Sequence, residues 1–547
     1  MTLSPYKGLM MIRPRVTRAL AATTFAALFA AGSFGSLAQQ QAPPQTPPQT
    51  PPATPPPGQP AGGSAAGQGG GGGRGQNMPG AATYAQFCAS CHGPTLQGGS
   101  APSLVDDEWK FGGDDASVIA SIKDGRPGTL MIAYKDLIND EQVRQLLFYL
   151  RTQAGILKGK PETKVDPEGH IVKSEKQTVK LEVIAKGLET PWGIAFLPDR
   201  RLLVTERPGR LRILNKGKLS EPIKGIPEVW VRQDGGLFDV EVDPQYARNG
   251  WIYLSYSEPL AGYKLPEPPP AAAAPQQGGR GNQPPSIPSM TVIVRGKIRN
   301  NAWVDQQVLF RGSEDLYNTA NFHYGSRFTF DRQGHLFYSI GDKGKPEDAQ
   351  DLSKPAGKVH RINTDGSIPK DNPFVGRSGA LPSIWSYGHR NPQGFAWDPA
   401  TGKLWETEHG PTGGDELNLI EPGKNYGWAV VSYGMQPGIT KSEQEGMEAP
   451  KAYWTPTLAP AGIAFYSGKA YPGWRNSLFV CGLGGQQLRR IEIENDKVVK
   501  QEVIFNEFGR VRDIVIGPDG YFYVALSLPG QRLSDTTAGV IVRMVPQ

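Results

Sequence analysis

Residues 87–93 read Phe87-Cys88-Ala89-Ser90-Cys91-His92-Gly93, and this short run sets the structure of the first folded segment of the chain. The pattern C-x-x-C-H is the attachment site of a c-type haem. Two thiols one helical turn apart can each form a thioether to a haem vinyl group, and His92 then lies under the iron. A bare C-x-x-C also occurs in thioredoxin-like redox pairs and in zinc half-sites. Because the one remaining cysteine is the distant Cys481, the sequence predicts haem c.

The sixth iron ligand must be a soft or imidazole donor. Met131 is the only methionine between Ala81 and the end of the helix that follows it. A thioether ligand raises the reduction potential and suits electron transfer. The alternative interpretation of Met131 is a buried core methionine.

Residues 81–156 show the pattern of a small helical domain. An opening helix is expected over 82–91 and a second over 114–123. Asn139 caps a closing helix in which apolar residues repeat on one face, namely Val143, Leu146, Leu147 and Leu150. The segment resembles the class I cytochrome c family over its whole length, which implies an all-α domain closing around a haem.

The first 80 residues are typical of export and tethering. Residues 1–38 combine three arginines, an apolar run over 19–31 and the small-residue site Ser36-Leu37-Ala38, which predicts a signal peptide and a periplasmic protein. The apolar run is short for a membrane span, and an uncleaved anchor is the alternative. Residues 39–80 are rich in Pro, Gln, Ala and Gly and predict a disordered linker.

Length and charge limit the possible classes of protein. A chain of 547 residues is too long for one ordinary domain and indicates two or three. The formal charge is +6, but one lysine and three arginines fall in the predicted leader, which leaves +2 (6 − 4) for the mature chain. This balance predicts no nucleic-acid or membrane-surface role.

After a second linker, over 157–177, residues 178–547 have a β pattern. An acidic or glycine turn followed by an apolar strand recurs at Asp199-Arg200-Arg201, Asp331-Arg332-Gln333-Gly334, Asp398-Pro399-Ala400-Thr401-Gly402 and Asp519-Gly520. We predict an all-β six-bladed β-propeller in which the last strand, near Ile541, closes the ring against the first. Residues 262–288, rich in Pro, Ala and Gly, are interpreted as a low-complexity insertion.

Polar residues unusual for strands collect at the ends of four runs, where propeller loops would converge on the central channel. The runs are Asn321-Phe322-His323-Tyr324-Gly325-Ser326-Arg327, Tyr387-Gly388-His389-Arg390-Asn391-Pro392-Gln393-Gly394, Glu408-His409-Gly410-Pro411 with the residues that follow to Trp428, and Gly509-Arg510-Val511-Arg512-Asp513. Propeller turn chemistry is the alternative explanation for any one of them.

Together, the four runs resemble the soluble PQQ-dependent glucose/sorbosone dehydrogenase family from about Leu181 to the C-terminus. The resemblance implies that His323 is the general base for the anomeric hydroxyl of a sugar, a role that suits the pKa range of an imidazole. It implies that Arg390 and Asn391 hold the PQQ cofactor, with Arg390 also acting on the quinone during hydride transfer. It further implies that Arg510 and Arg512 grip the cofactor's carboxylates.

The resemblance also implies a metal and a substrate wall. The backbone carbonyls of Gly410 and Pro411 would bind Ca²⁺, a hard ion that prefers oxygen ligands. Tyr453 or Trp454 would form the aromatic wall over the sugar, and Asp234 would contact the substrate.

The sequence departs from the family at three positions. A cofactor lysine is replaced by Gly484, which bears on cofactor affinity, and a substrate-side glutamine is replaced by Asp234, which bears on sugar specificity. Acidic ligands of a second, structural calcium are not evident after Trp428.

The sequence thus predicts a periplasmic quinohaemoprotein that oxidises an aldose-type sugar to the lactone with PQQ and passes electrons to its own haem c and then to a downstream periplasmic acceptor. Fusion keeps a one-electron carrier beside a two-electron cofactor at high effective concentration. Sorbosone or another aldehyde hydrate is an alternative substrate. The rival hypothesis is a cofactor-free propeller that binds glycans or proteins beside an electron-carrier domain.

Overall fold

The structure is a computed structural model that describes residues 78–106, 108–158, 165–263, 286–527 and 538–547. The predicted signal peptide, nearly all of the predicted linker over 39–80 and most of the predicted insertion over 262–288 lie outside the described residues. Within the described ranges, no helix is long and apolar enough to cross a membrane.

The N-terminal described segment is the predicted small all-α domain, here called the haem domain. Its helices are α1 (Ala81–Phe87), α2 (Ala89–His92), α3 (Asp115–Asp124) and α4 (Asp140–Leu157). The predicted opening helix is interrupted at Cys88, the first cysteine of the C-x-x-C-H run.

Side-chain caps fix where α3 and α4 begin. Asp114 accepts a hydrogen bond from the backbone N–H of Ser117. At α4, Asn139 and Gln142 form a reciprocal capping box, as the sequence predicts for the closing helix. The two helices pack around one core whose buried members are Tyr84, Leu96, Val118, Ile122, Ile138, Val143, Leu146, Leu147, Tyr149 and Leu150.

The remainder of the described chain is a six-bladed β-propeller of antiparallel sheets, which confirms the predicted fold class. The first blade contains β3 (Pro191–Phe196), β4 (Leu202–Glu206), β5 (Arg210–Asn215) and β6 (Lys218–Leu219). The second contains β7 (Leu237–Val242), β8 (Ile252–Pro259), β9 (Ser289–Arg299) and β10 (Ala302–Phe310). The third contains β11 (Phe328–Phe330), β12 (Leu336–Ile340), β13 (Lys358–Ile362) and β14 (Ile384–Tyr387).

The fourth blade contains β15 (Pro392–Trp397), β16 (Leu404–Glu408), β17 (Asp415–Ile420) and β18 (Ala452–Trp454). The fifth contains β19 (Pro460–Phe465), β20 (Ser477–Gly482), β21 (Gln487–Glu494) and β22 (Lys497–Phe505). Between strands of the described chain lie the short helix α5 (Tyr246–Asn249) and the 3₁₀ turns Glu314–Leu316, Pro346–Ala349 and Pro472–Trp474.

The sixth blade closes the ring with strands from both ends of the propeller. Its order is β1 (Ile171–Lys173), β2 (Thr178–Glu189), β25 (Ala538–Pro546), β24 (Phe522–Ser527) and β23 (Arg510–Ile516). The pairing of β2 with β25 confirms the predicted closure near Ile541. In contrast to the predicted linker over 157–177, β1 already pairs with β2, because its buried Val172 lies against the propeller core.

The recurring acidic turns join the first and second strands of four blades. In each, the aspartate side chain accepts a backbone N–H two residues later, which closes a local turn. The donors are Arg201 for Asp199, Gln333 for Asp331, Ala400 for Asp398 and Tyr521 for Asp519. The sequence repeat therefore corresponds to the turn between the first two strands in each of these blades.

Candidate active site

A cavity of about 350 Å³ lies where the six innermost strands begin. The first strand of each blade packs against its neighbours around the ring, so the residues before and at these strands meet at one end of the channel. The structure brings together nine residues singled out from the sequence, namely Asp234, His323, Arg390, Asn391, Gly410, Pro411, Gly484, Arg510 and Arg512.

His323 is held in the cavity by a buried carboxylate. Its Nδ1 lies 2.7 Å from Asp342 Oδ1, and the imidazole is 14% exposed while Asp342 is 1% exposed. Asp342 also accepts hydrogen bonds from the indole of Trp428 and from the backbone N–H of Gly344. Nδ1 is thus the protonated nitrogen, and Nε2 is left to accept a proton in the cavity.

The Asp342 carboxyl remains ionised in this setting. Burial alone would raise its pKa, but the hydrogen bond and charge of His323 outweigh burial and lower the pKa below its ordinary value. An ionised, fixed carboxylate orients the imidazole and stabilises the charged ring that forms when Nε2 takes a proton.

The cavity carries an excess of positive charge. Four arginines and two aspartates line it, the arginines being Arg207, Arg390, Arg510 and Arg512. Arg390 donates to the carbonyls of His409 and Gly410, while its buried Nε has no acceptor among the described residues. The side chain of Arg510 makes no hydrogen bond within the described residues. These unused donors fit a ligand with several carboxylates.

Trp192 and Arg512 form one wall of the cavity. The Arg512 guanidinium lies 5.1 Å from the centroid of the Trp192 ring and donates to Gln393 at 3.0 Å. Burial, followed by the neighbouring charges of Arg510 and Arg327, lowers the pKa of Arg512 to about 9. A bound anion would relieve this repulsion.

Beneath the cavity, a buried ion cluster joins three blades. Arg327 Nη1 lies 3.1 Å from Asp239 and 3.0 Å from Asp513. The guanidinium also stacks on Trp192 at 4.6 Å. This cluster fixes the relative positions of the innermost strands β7, β11 and β23 under the cavity.

Asn391 and His409 are fixed by hydrogen bonds to each other and to the backbone. Asn391 accepts from the N–H of Gly325 at 3.0 Å and donates to Nδ1 of His409 at 3.3 Å. Nε2 of His409 lies 2.8 Å from the carbonyl of Pro460. Burial, with the charges of Arg512 and Arg390, lowers the pKa of His409 well below its ordinary range, so this histidine is neutral.

The predicted calcium ligands lie in the cavity wall, but their surroundings fit a metal ion poorly. The carbonyl of Gly410 accepts a hydrogen bond from Arg390 at 2.6 Å. The positively charged guanidinium therefore takes the position at this oxygen that a metal ion would need. The neighbouring Asp415 carboxylate is used by the backbone N–H groups of Gly410 and Ala459 and by the hydroxyl of Thr457. The residues at this point therefore do not form a metal site in the arrangement that the structure shows.

Tyr453 and Trp454 do not line this cavity, in contrast to their predicted place over the sugar. Trp454 is buried between blades and donates its indole N–H to Gln501 at 2.8 Å. The Tyr453 hydroxyl donates to Asp115 of the haem domain. Both belong to β18, the outermost strand of the fourth blade, and the channel is formed by the innermost strands. Asp234, by contrast, lines the cavity.

A second cavity, of about 370 Å³, lies in the haem domain and is lined by Cys88, Cys91, His92 and Met131. His92 Nδ1 lies 2.9 Å from the carbonyl of Pro102, so this nitrogen carries the proton and Nε2 is left for a metal. The walls are mainly apolar and include Trp109, which suits a haem. The predicted ligands thus face one space of suitable chemistry.

The sequence analysis did not single out Asp342, which holds His323, or Trp192, which lines the cavity. Asp342 lies two residues after the end of β12, in Gly341-Asp342-Lys343-Gly344, and a polar residue just after an apolar strand is a detectable signal. Trp192 reads as an ordinary core residue of a strand, and nothing in its immediate sequence distinguishes it.

Two protein families match this chain. The family described as Glucose / Sorbosone dehydrogenase matches residues 188–534, and the family described as Cytochrome C oxidase, cbb3-type, subunit III matches residues 75–150. The aldose sugar dehydrogenase YliI of Escherichia coli (strain K12) is 38% identical over 381 residues, which cover 68% of this chain and 94% of that protein.

Two solved structures extend the comparison. The soluble aldose sugar dehydrogenase of Escherichia coli in its apo-form has a TM-score of 0.58 and 36% identity, covering 68% of this chain and 100% of that chain. The PQQ-bound form of aldose sugar dehydrogenase from Streptomyces coelicolor has a TM-score of 0.51 and 26% identity, covering 67% of this chain and 98% of that chain. The chain therefore belongs to the glucose/sorbosone dehydrogenase family, as a sugar dehydrogenase propeller preceded by a cytochrome c domain.

Proposed function

We propose that the protein oxidises an aldose sugar at its anomeric carbon to the lactone, with PQQ in the propeller cavity, and passes the electrons to its own haem c. The observation that carries this proposal is the His323 imidazole, held at Nδ1 by Asp342 inside a cavity lined by four arginines. The likeness to an aldose sugar dehydrogenase and to a PQQ-bound relative supports the same function.

His323 would act as the general base. Its Nε2 takes the proton of the anomeric hydroxyl while the hydride leaves the adjacent carbon, so the C–H and O–H bonds break and a C=O bond forms. PQQ, when bound, supplies the two-electron acceptor for that hydride. Asp342 keeps the imidazole in the required tautomer and stabilises it once protonated.

Arg390, Asn391, Arg510 and Arg512 would hold the cofactor. A planar guanidinium can bind a carboxylate through two parallel hydrogen bonds, and three of these residues offer such groups to the cavity. Arg390 would also place its charge against the quinone oxygen that gains electrons. The glycine at 484 removes one cationic contact of the family pattern and predicts weaker cofactor binding.

The haem domain would carry one electron at a time. Cys88 and Cys91 would form the thioethers, with His92 and Met131 as iron ligands. We also propose a periplasmic location, since c-type haem is attached outside the cytoplasm in bacteria, and a downstream one-electron acceptor as the partner. Asp234 lines the cavity beside the arginines and is proposed to contact the sugar.

Calcium at the carbonyls of Gly410 and Pro411 remains a prediction from the family resemblance. Binding there would require the Arg390 guanidinium to leave the Gly410 carbonyl. Exhaustive chelation tests this point: loss of sugar-dependent haem reduction, with dithionite reduction intact, would support a metal requirement, and full activity would contradict it.

The experiment that tests the function uses the purified full-length protein with its haem attached. PQQ is added with and without Ca²⁺, a panel of aldoses and sorbosone is supplied, and the absorption of reduced haem is followed. We expect haem reduction only when both PQQ and a sugar are present. Failure to bind PQQ, together with binding of glycans or proteins, would instead favour the cofactor-free scaffold.

A further inference from the structure

Helix α4 has two faces with different partners. Leu146 and Leu150 pack in the haem-domain core and line the haem cavity. A second stripe along α4 is formed by residues spaced four and seven positions apart, namely Arg144, Phe148 and Gly155. Phe148 is 6% exposed, and a Cβ built on Gly155 would lie 3.0 Å from Pro456 of the propeller. This second stripe is therefore a contact surface with the propeller.

Arg144 binds the backbone of one propeller loop at three points. Its guanidinium lies 3.2 Å from the carbonyl of Ser432, 3.5 Å from that of Gly434 and 2.6 Å from that of Ile439. Glu141 accepts from Nε at 3.1 Å and holds the side chain in this orientation. A charged donor fixed on three carbonyls is a strong and geometrically demanding contact.

The same loop lies against the wall of the propeller cavity. A Cβ built on Gly434 would lie 2.1 Å from the carbonyl oxygen of Gly413 and 2.9 Å from Cδ of Pro411. Pro411 itself lines the cavity. The loop that Arg144 grips is thus in direct contact with the proposed quinone site.

A second set of contacts leads from this loop to the haem cavity. The rings of Tyr433 and Tyr453 lie 4.4 Å apart, and the Tyr453 hydroxyl donates to Asp115 at the start of α3. Asp115 also accepts a hydrogen bond from Arg151 at 2.7 Å. The guanidinium of Arg151 lies 5.4 Å from the ring centroid of Trp109. Trp109 lines the haem cavity.

We propose that Arg144 and the hydrogen bond between Tyr453 and Asp115 dock the haem domain on the fourth blade, and that electrons cross from the quinone cavity to the haem through this surface. The inference rests on the function proposed above. Two electrons leave the reduced quinone for each sugar oxidised, one at a time. Each converts ferric haem to ferrous haem, two protons pass to water, and an external one-electron acceptor reoxidises the iron between the two transfers.

Docking matters because the rate of electron tunnelling falls steeply with the distance between two centres. A tether alone would hold the haem domain near the propeller but would leave its orientation free. Arg144 and Tyr453 are therefore positioning residues: they touch neither cavity, yet they determine how the two cavities face each other.

The test compares the wild type with Arg144→Ala, Tyr453→Phe and the double variant, all full-length and loaded with haem and PQQ. Lys123→Ala is the matched control, since Lys123 pairs with Asp140 within the haem domain and contacts neither Arg144 nor Glu141. Stopped flow follows sugar-driven reduction of PQQ and of haem separately. Amide hydrogen exchange of residues 432–439, measured without PQQ or sugar, reports docking independently of turnover.

We expect unchanged PQQ reduction in every variant. Losing a single charge-assisted hydrogen bond shifts a docking equilibrium by about tenfold or more, and Arg144→Ala loses all three bonds to the loop. Haem reduction should therefore slow by at least about tenfold in Arg144→Ala and further in the double variant. Amide exchange over 432–439 should rise in parallel. Unchanged haem reduction and exchange in the double variant would overturn the inference. If wild-type PQQ is not reduced by any sugar, the proposed function fails, while the exchange data still decide whether docking occurs.

Discussion

The haem-domain cavity and the propeller cavity take their residues from very different spans. The predicted thioether cysteines and iron ligands of the haem domain fall between Cys88 and Met131, whereas the propeller cavity is lined from Thr190 to Ser527. A site drawn from one short segment needs only that segment to fold. The propeller cavity needs all six blades, including the closing pair β2 and β25 from opposite ends of the propeller. The haem site should therefore tolerate damage to the propeller, and each site should respond to changes that leave the other intact.

The largest expected effect concerns the haem site alone. Met131→Ala should abolish the methionine-to-iron charge-transfer band and lower the reduction potential, because a thioether ligand raises it. Optical spectroscopy and a redox titration measure both. Met78→Ala is the matched control, since Met78 also packs against the haem-domain core. A band that persists in Met131→Ala would show that another residue is the sixth ligand.

The next effect concerns the propeller cavity alone. His323→Gln should slow sugar-driven reduction of PQQ by about 10²–10⁴, the usual contribution of a positioned general base. PQQ affinity should change little because the arginines remain, as a PQQ titration would show. His335→Gln is a suitable control, since His335 forms the same Nδ1-to-aspartate contact, 2.7 Å to Asp331, outside the cavity.

Normal reduction in His323→Gln would remove the catalytic assignment. Loss of PQQ binding in this variant would instead make His323 a cofactor ligand. The His335 control separates both outcomes from a general loss of propeller stability.

The third expected effect is a loss of propeller stability at low pH that the haem domain does not share. His360 is buried on β13, with Nδ1 3.0 Å from the hydroxyl of Ser383 and Nε2 3.0 Å from the carbonyl of Pro355. Burial lowers its pKa to about 3. Below about pH 6.5 the His360 side chain is protonated in the unfolded state but stays neutral in the folded state. The free energy of unfolding therefore decreases as the pH falls.

At pH 5 this residue should cost the propeller about 2 kcal/mol relative to neutral pH. Urea unfolding at pH 7 and pH 5, followed by far-UV circular dichroism for the propeller and by haem absorption for the haem domain, measures the effect. His360→Gln should lose this part of the pH dependence, and the haem domain should not show it. Equal pH dependence of the wild type and the variant would contradict the prediction.

The smallest expected effect restores a cation to the cavity. Gly484→Lys should tighten PQQ binding by about tenfold, because a new charge-assisted hydrogen bond is partly offset by repulsion from the arginines. A Cβ at this position would lie 3.2 Å from Ala459 Cβ, so Gly484→Ala controls for crowding. Fluorescence titration with PQQ measures the affinities. Weaker binding by Gly484→Lys than by Gly484→Ala would show that the lysine cannot reach the cofactor.

Features that depend on a few neighbouring residues were predictable from the sequence. The C-x-x-C-H run, the cap at Asn139 and the repeated aspartate turns each act within a handful of positions, and the structure contains all three. The polar runs around His323, Arg390 and Arg510 were predicted to converge on the channel, and they stand where the innermost strands begin.

Features that depend on which blades and loops meet came from the tertiary structure. Nothing in the sequence around Tyr453 shows that β18 is an outer strand, and so the tyrosine was predicted over the sugar while it contacts Asp115, 338 residues away. Asp342 lies 19 residues from His323 and joins it because β12 returns to the same end of the channel where β11 begins. Adjacent residues determine local hydrogen bonds and the periodicity of a helix or strand, and both can therefore be predicted from the sequence. The neighbours of a cavity side chain come from distant parts of the chain, and they are determined by ring closure and domain docking.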